Sequence, residues 1–268
     1  METPNRENGL KVLFISTLLL VYAAGCANEK AANIHLNMGL AYLESRQYSS
    51  ALKELMDAEK ENPQDPRIHY YLGITYHAKN LPDEAIRELK KAVEIKTDYS
   101  EAYNYMGMVY DGMGRYDLAI QSFKNALSNI LYETPSYAMN NMAWSYFKKG
   151  DYDSALLQFS EALKHEPNMM NHAALEKNIG VVLYRKSNPN SAVMHLKRSL
   201  EIAPDFVEAR YWLGKCYLLN KDRKSAISEF NAVIKAAPDS EFALRARSEL
   251  DSMSAAAEPE KKTRKRRR

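Results

Sequence analysis

The sequence predicts an all-α protein, a right-handed α-solenoid of six repeated helix pairs followed by a C-terminal capping helix. Two columns of small residues, each recurring about every 34 residues, support this prediction. The first column contains Gly39, Gly73, Gly107, Ala143, Gly180 and Gly214, and the second contains Ala51, Ala85, Ala119, Ala155, Ala192 and Ala226. Both columns are spaced 34, 34, 36, 37 and 34 residues apart, so two short insertions flank the fourth copy without breaking the register.

The clearest copy of the repeat lies at residues 100–131. Tyr103, Gly107, Tyr110, Ala119 and Phe123 follow the W-x2-L-G-x2-Y…A-x3-F spacing of a tetratricopeptide repeat, a helix–turn–helix of about 34 residues. Gly107 and Ala119 are small because two antiparallel helices approach each other there, and Tyr110 and Phe123 fill the adjacent space. A single unit cannot bury its apolar face alone, so neighbouring repeats must complete the core.

Repeat boundaries follow from the two columns, and we count positions within each repeat so that Gly107 is at position 8. The six repeats are predicted at about residues 32–65, 66–99, 100–133, 136–169, 173–206 and 207–240, within an array spanning 32–238. Residues 239–256 are predicted to form the capping helix that an open solenoid end requires. Residues 257–268 are predicted to be a disordered basic tail, either simply solvated or in contact with anionic lipid or an acidic partner.

The N-terminus resembles a bacterial lipoprotein signal peptide, which we place at residues 1–25. Its apolar run, Val12–Ala24, is 13 residues long, which is too short to span a bilayer but suits the centre of a secretory signal. The following Ala23-Ala24-Gly25-Cys26 resembles the lipobox, with Ala23 where that motif prefers leucine. Cleavage would leave a lipidated Cys26 on a short linker, residues 26–31. An ordinary signal peptide that happens to contain a cysteine is the alternative.

Composition and motifs argue against catalysis. The chain is 46% hydrophobic and 26% charged, which is globular composition. Seven of the 37 Lys and Arg residues lie in the last eight positions, so the other 30 are outnumbered by 34 acids and the repeats do not predict nucleic-acid binding. The sequence contains no metal-ligand spacing, phosphate loop or nucleophile elbow. We therefore expect no enzyme activity, no metal, no small-molecule substrate, and no cofactor except a covalent lipid on Cys26.

The concave face of the solenoid is the predicted working surface, lined by positions 2, 5, 9 and 12 of each first helix. Apolar side chains at position 9 predict an apolar or amphipathic partner segment, which the Asn104 and Asn140 amides would orient. The predicted groove residues are Leu36, Leu40, Tyr70, Ile74, Asn104, Met108, Asn140, Trp144, Lys177 and Val181. The alternative is that these residues are ordinary packing between repeats. His35 and His69, at position 4 where tryptophan is usual, are predicted to pack between helices.

Residues 131–156 read L-Y-E-T-P-S-Y-A-M-N-N-M-A-W-S-Y-F-K-K-G-D-Y-D-S-A-L. This stretch resembles the fourth repeat of the type IV pilus biogenesis lipoproteins of the PilF/PilW/Tgl family, in the L-Y-x-T-P insertion and the N-N-x-A/G-W run. The resemblance implies an outer-membrane pilotin, anchored at the periplasmic face, that binds secretin subunits and promotes their localisation and multimer assembly. The basic segment Lys261–Arg268 is not a feature of that family. A general periplasmic scaffold lipoprotein for cell-wall or other envelope complexes is the alternative.

Overall fold

The computed structural model describes the backbone of residues 28–265 and the side chains of residues 28–255. Within this part every regular element is an α-helix. The first, α1, covers residues 28–44, and the others are α2 (Tyr48–Glu61), α3 (Pro66–Ala78), α4 (Pro82–Ile95), α5 (Ser100–Gly112), α6 (Tyr116–Leu127), α7 (Pro135–Lys149), α8 (Tyr152–His165), α9 (Met169–Arg185), α10 (Pro189–Ile202), α11 (Val207–Leu219), α12 (Arg223–Ala236) and α13 (Glu241–Lys265). The predicted signal peptide, Cys26, and the side chains of the predicted tail lie outside the described residues.

The helices pack in sequential pairs, which confirms the predicted all-α class and its repeats. Each odd-numbered helix from α3 to α11 packs against the next helix in the chain, and α1 meets α2 where Gly39 lies beside Leu55. Helix α13 packs on α12 and α11, at the place predicted for the capping helix, and passes the boundary predicted at residue 256. Among the described residues, no helix combines the length and apolar character needed to cross a bilayer.

Two compact units divide the chain, the first ending at Leu131 and the second beginning at Tyr132. In the first unit, a buried cluster joins α1, α2 and α3 through Leu36, Leu55 and Leu72. In the second unit, Phe159 of α8 lies fully buried in a cluster that also contains Ile179 of α9. Each cluster draws on two neighbouring repeats, because one helix pair has too little apolar surface to enclose a core by itself.

The turn inside each repeat is built around one residue in the left-handed region of backbone space. This residue occupies position 15 in all six repeats: Arg46, Asn80, Gly114, Gly150, Ser187 and Lys221, with φ between 56° and 87°. The backbone N–H of the following residue donates to the carbonyl at position 11, as Arg115 does to Tyr110 at 2.9 Å. This bond satisfies a carbonyl that the helix end would leave unpaired, so the turn closes even where glycine is absent.

A polar contact links the two helices of four repeats, between positions 4 and 23. The nitrogen–oxygen distances are 2.8 Å for His35–Glu54, 2.9 Å for His69–Glu88, 2.6 Å for Glu176–His195 and 3.0 Å for Arg210–Glu229. The acid stands on the second helix in three of these repeats and on the first helix in the fifth repeat. His69 is buried, so it does pack between helices as predicted, and it also carries this polar contact.

Candidate functional site

The ten predicted groove residues differ in exposure. Leu36 and Val181 are buried, so they are core residues, contrary to the prediction that they line an open groove. Lys177 is also buried, with 8% of its surface exposed, whereas Met108 is 41% exposed. The remaining six, Leu40, Tyr70, Ile74, Asn104, Asn140 and Trp144, are half-buried. The prediction misjudged Leu36 because the adjacent repeat covers it, packing Ile68 and Leu72 into the same cluster.

In the first unit, a tyrosine cluster surrounds Tyr70. Its ring centroid lies 5.1 Å from that of Tyr71, 5.3 Å from Tyr99 and 6.1 Å from Tyr105. The Tyr105 hydroxyl is 3.1 Å from His77 Nδ1, which joins α3 to α5. Burial raises the pKa of both Tyr99 and Tyr105, so these hydroxyls stay neutral at physiological pH. The four rings are half-buried and carry polar hydroxyl groups, and such amphipathic aromatic side chains are common at protein interfaces.

In the second unit, three residues on one face of α7 form what we call the α7 stripe: Tyr137, Asn140 and Trp144. Their spacing of three and four residues aligns them along the helix. Tyr137 is 54% exposed, whereas Trp144 is half-buried, with its ring centroid 5.3 Å from both Phe147 and Phe159 in edge-on contact. Trp144 is therefore held in place by the core while part of its ring remains accessible.

Lys177 of α9 forms one wall beside the α7 stripe. Its Nζ is 3.1 Å from Glu208 Oε1 and lies 5.8 Å from the ring centroids of both Trp144 and Phe206. The Lys177 ammonium therefore links α9 to Trp144 of α7, and it links α9 to Phe206 and Glu208 at the start of α11. Because Glu208 already neutralises its charge, Lys177 positions neighbouring rings rather than offering a free cation to an anionic ligand.

A pair of amides lies next to this wall. Asn178 Nδ2 donates to Asn140 Oδ1 at 3.1 Å, and the Asn178 side chain is buried. Among the described residues, Asn178 Oδ1 is a buried oxygen that receives no hydrogen bond. A buried acceptor without a donor costs about 1–3 kcal/mol. This oxygen is sealed from solvent, so Asn140, which is half-buried, is the amide of the pair that a peptide can reach.

Sequence reasoning missed two residues of this site, the exposed Tyr137 and the buried Asn178. Tyr137 stands at position 2, one of the groove positions, so its place in the repeat was an available signal. Asn178 stands at position 6, which the repeat pattern does not assign to the groove. The structure brings Asn178 to Asn140 because the first helices of the fourth and fifth repeats, α7 and α9, meet through these amides. No pattern within one repeat reports that contact.

Comparison with known families identifies the repeats. Residues 36–100, 98–165 and 183–248 each match a family model described as tetratricopeptide repeat. Proteins built from these repeats bind other proteins or peptides, and their folds are typically non-catalytic scaffolds. No curated protein matches the sequence.

Several solved structures are similar to this chain in fold. One, reported in a functional characterization of Pseudomonas aeruginosa pilF, is 18% identical, has a TM-score of 0.69, and is matched over 83% of this chain and 99% of that one. The other is PilW, described as a widely conserved type IV pilus biogenesis factor, at 19% identity and a TM-score of 0.70 over 79% and 96% of the two chains. YrrB, a repeat protein with an unusual peptide-binding site, is 21% identical with a TM-score of 0.58 over 72% and 97%. At these identities the likeness establishes the fold.

Proposed function

The chain is a tetratricopeptide repeat protein, and we propose that it acts as an outer-membrane lipoprotein pilotin. In this proposal it binds subunits of a type IV pilus secretin and promotes their outer-membrane localisation and assembly into multimers. The similarity in fold to PilF and PilW supports the proposal, as does the sequence of the fourth repeat. No bond is made or broken, since the protein acts by binding and positioning.

The observation that carries this proposal is the α7 stripe in the repeat that bears the family resemblance. An exposed tyrosine and a core-anchored tryptophan on one helix face are the residue types that dominate protein interfaces. The half-buried Asn140 amide beside them, held by Asn178 from behind, can pair with main-chain groups of an extended or helical segment. The stripe is therefore suited to a segment with apolar side chains and accessible backbone groups.

A lipid anchor on Cys26 would hold the protein at the periplasmic face of the outer membrane. The lipobox-like sequence supports this part of the proposal, and Ala27 in place of aspartate after the cysteine favours the outer membrane by resemblance to the enterobacterial sorting rule. Each buried methylene of an acyl chain contributes about 0.8 kcal/mol, and more than one chain gives stable anchoring. Tethering many copies to one membrane raises the local concentration of bound subunits, which favours ring closure.

Replacing Cys26 with serine in the bacterium that encodes this chain is expected to reduce detergent-resistant secretin multimers, because the anchor is lost. Gel electrophoresis of unboiled membrane fractions, with immunoblotting for the secretin, measures the multimers. Ala27→Ser is the matched control, since it changes the next residue but keeps the lipidation site. Normal multimer levels in both the Cys26→Ser strain and a deletion strain would refute the proposal. Recovery of cell-wall synthases without secretin in a pull-down would favour the scaffold alternative.

Replacing Tyr137 with alanine is expected to weaken secretin binding about tenfold, equivalent to about 1.4 kcal/mol, because an exposed aromatic anchor is removed. Titration of purified secretin segments against the immobilised protein measures the affinity. Leu157→Ala is the control. The exposed fraction of Leu157, 57%, is similar to that of Tyr137, but Leu157 lies on the second helix of the same repeat. Circular dichroism should be unchanged in both variants. Equal affinities for the two variants would show that the α7 stripe is not part of the binding surface.

A further inference from the structure

Three side chains from three consecutive helices meet between the first and second repeats. Glu59 of α2, His69 of α3 and Glu88 of α4 each direct one possible ligand atom to a common place, and these atoms all lie within 4.8 Å of one another. His69 Nδ1 is 2.9 Å from Glu88 Oε2 and 3.8 Å from Glu59 Oε1. The His69 ring is 3% exposed, so the cluster is built into the packing of the first unit.

The orientation of the His69 ring is fixed by its second nitrogen. Nε2 lies 2.8 Å from the carbonyl oxygen of Pro63, which can only accept, so Nε2 carries a proton and donates it. Nδ1 is left facing the two carboxylates. A carbonyl that receives the remote N–H is the usual way in which a metal-binding histidine is held in orientation. One imidazole nitrogen with two carboxylate oxygens is a donor set that suits Zn²⁺ and similar first-row ions.

We propose that Glu59, His69 and Glu88 form a three-ligand site for a divalent transition-metal ion of the Zn²⁺ class. Because the ligands come from α2, α3 and α4, a bound ion would join the first repeat to both helices of the second. The site stabilises the array at a point that the proposed secretin contact on α7 does not use. Its test therefore stands or falls independently of the proposed function.

Lys91 is the group that competes with the ion. Its Nζ lies 3.2 Å from Glu59 Oε1 and 3.1 Å from Glu88 Oε1, and the side chain is exposed enough to move into solvent. A divalent ion would take the place of the Lys91 ammonium between the two carboxylates. It would also take the place of any proton on His69 Nδ1, because only the free nitrogen lone pair binds a metal.

The experiment titrates the purified full chain with Zn²⁺ by calorimetry and with Co²⁺ by visible spectroscopy. We expect one equivalent to bind, with visible Co²⁺ absorption bands typical of nitrogen and oxygen ligands, and we expect Zn²⁺ to raise the melting temperature. Glu88→Gln, which removes a ligand, should weaken binding at least about tenfold. Lys91→Met, which removes the competing ammonium, should tighten binding by a similar factor. Glu54→Gln is the matched control, because it alters the equivalent histidine–glutamate pair of the first repeat.

Binding that survives Glu88→Gln, or that Glu54→Gln weakens equally, would overturn the proposal by placing the ion elsewhere. Failure of both the unaltered chain and Lys91→Met to bind either ion would also overturn it. Circular dichroism of each variant keeps loss of binding distinct from loss of fold. Tighter binding by Lys91→Met alone would support the site even if the unaltered chain binds weakly. A cluster that forms ion pairs but does not bind metal would not bind the ion more tightly after this substitution.

Discussion

Replacing Phe159 with alanine is expected to lower the free energy of unfolding by about 3–5 kcal/mol. Phe159 is fully buried, and its ring fills the space between α7, α8 and α9 beside Trp144, Leu175 and Ile179. Truncation removes most of this apolar contact and leaves a cavity that the rigid helix pairs can close only in part. The expected loss in free energy of unfolding therefore has two parts, the loss of buried apolar surface and the cavity that stays unfilled.

Urea denaturation followed by tryptophan fluorescence measures this effect in the unit that carries it, because both tryptophans, Trp144 and Trp212, lie in the second unit. Leu157→Ala is the control, since Leu157 is a large apolar residue on the same helix with its side chain exposed. Its free energy of unfolding should stay within about 0.5 kcal/mol of the unaltered chain. A loss below about 1 kcal/mol for Phe159→Ala would mean that the cluster repacks and that Phe159 is not its centre.

Replacing Gly107 with alanine is expected to lower the free energy of unfolding by about 1–3 kcal/mol. A Cβ built on Gly107 would lie 2.5 Å from the nearest carbon of the Phe123 ring, well inside contact distance. Phe123 is fully buried, so its ring cannot move away without disturbing the α5–α6 pair. The fourth repeat has Ala143 opposite Phe159, which shows that alanine is tolerated where the helix pair forms around it. We therefore expect strain rather than complete unfolding.

Gly112→Ala is the matched control for this substitution. Gly112 is the last residue of α5, and a Cβ there meets no atom within 4 Å. Alanine favours the helix over glycine, so this variant should be unchanged or more stable by about 0.5–1 kcal/mol. Chemical denaturation followed by circular dichroism compares the two variants. Equal stability of Gly107→Ala and Gly112→Ala would show that the α5–α6 crossing is looser than the structure indicates.

The fold could be predicted from sequence because the repeat imposes the same geometric requirement six times. The residue at position 8 must be small because the side chain at position 24 packs against it. Glycines therefore recur in the sequence at Gly39, Gly73 and Gly107. The turn residue at position 15 was harder to recognise, since only Gly114 and Gly150 are glycines. At Arg46 and Lys221 the helix-closing hydrogen bonds hold the left-handed conformation, and sequence alone gives little sign of it.

The surface was predicted less well, because exposure depends on neighbouring repeats rather than on position within one repeat. Leu36 and Ile74 share a predicted role, yet the first is buried and the second remains partly accessible. The cluster of Glu59, His69 and Glu88 has no sequence signature, since its members stand ten and nineteen residues apart on three helices. Such groupings follow from the angle at which successive repeats stack, which no single-repeat pattern records.

The six repeats share small residues at positions 8 and 20, so a first helix could also pack on the second helix of another repeat. The order of acid and base at positions 4 and 23 discourages some of these exchanges. If α9 packed on α12, Glu176 would face Glu229, and if α11 packed on α10, Arg210 would face His195. A protein built by rearranging these repeats would therefore have to keep the two helices of each repeat together, so that each acid still faces its own base.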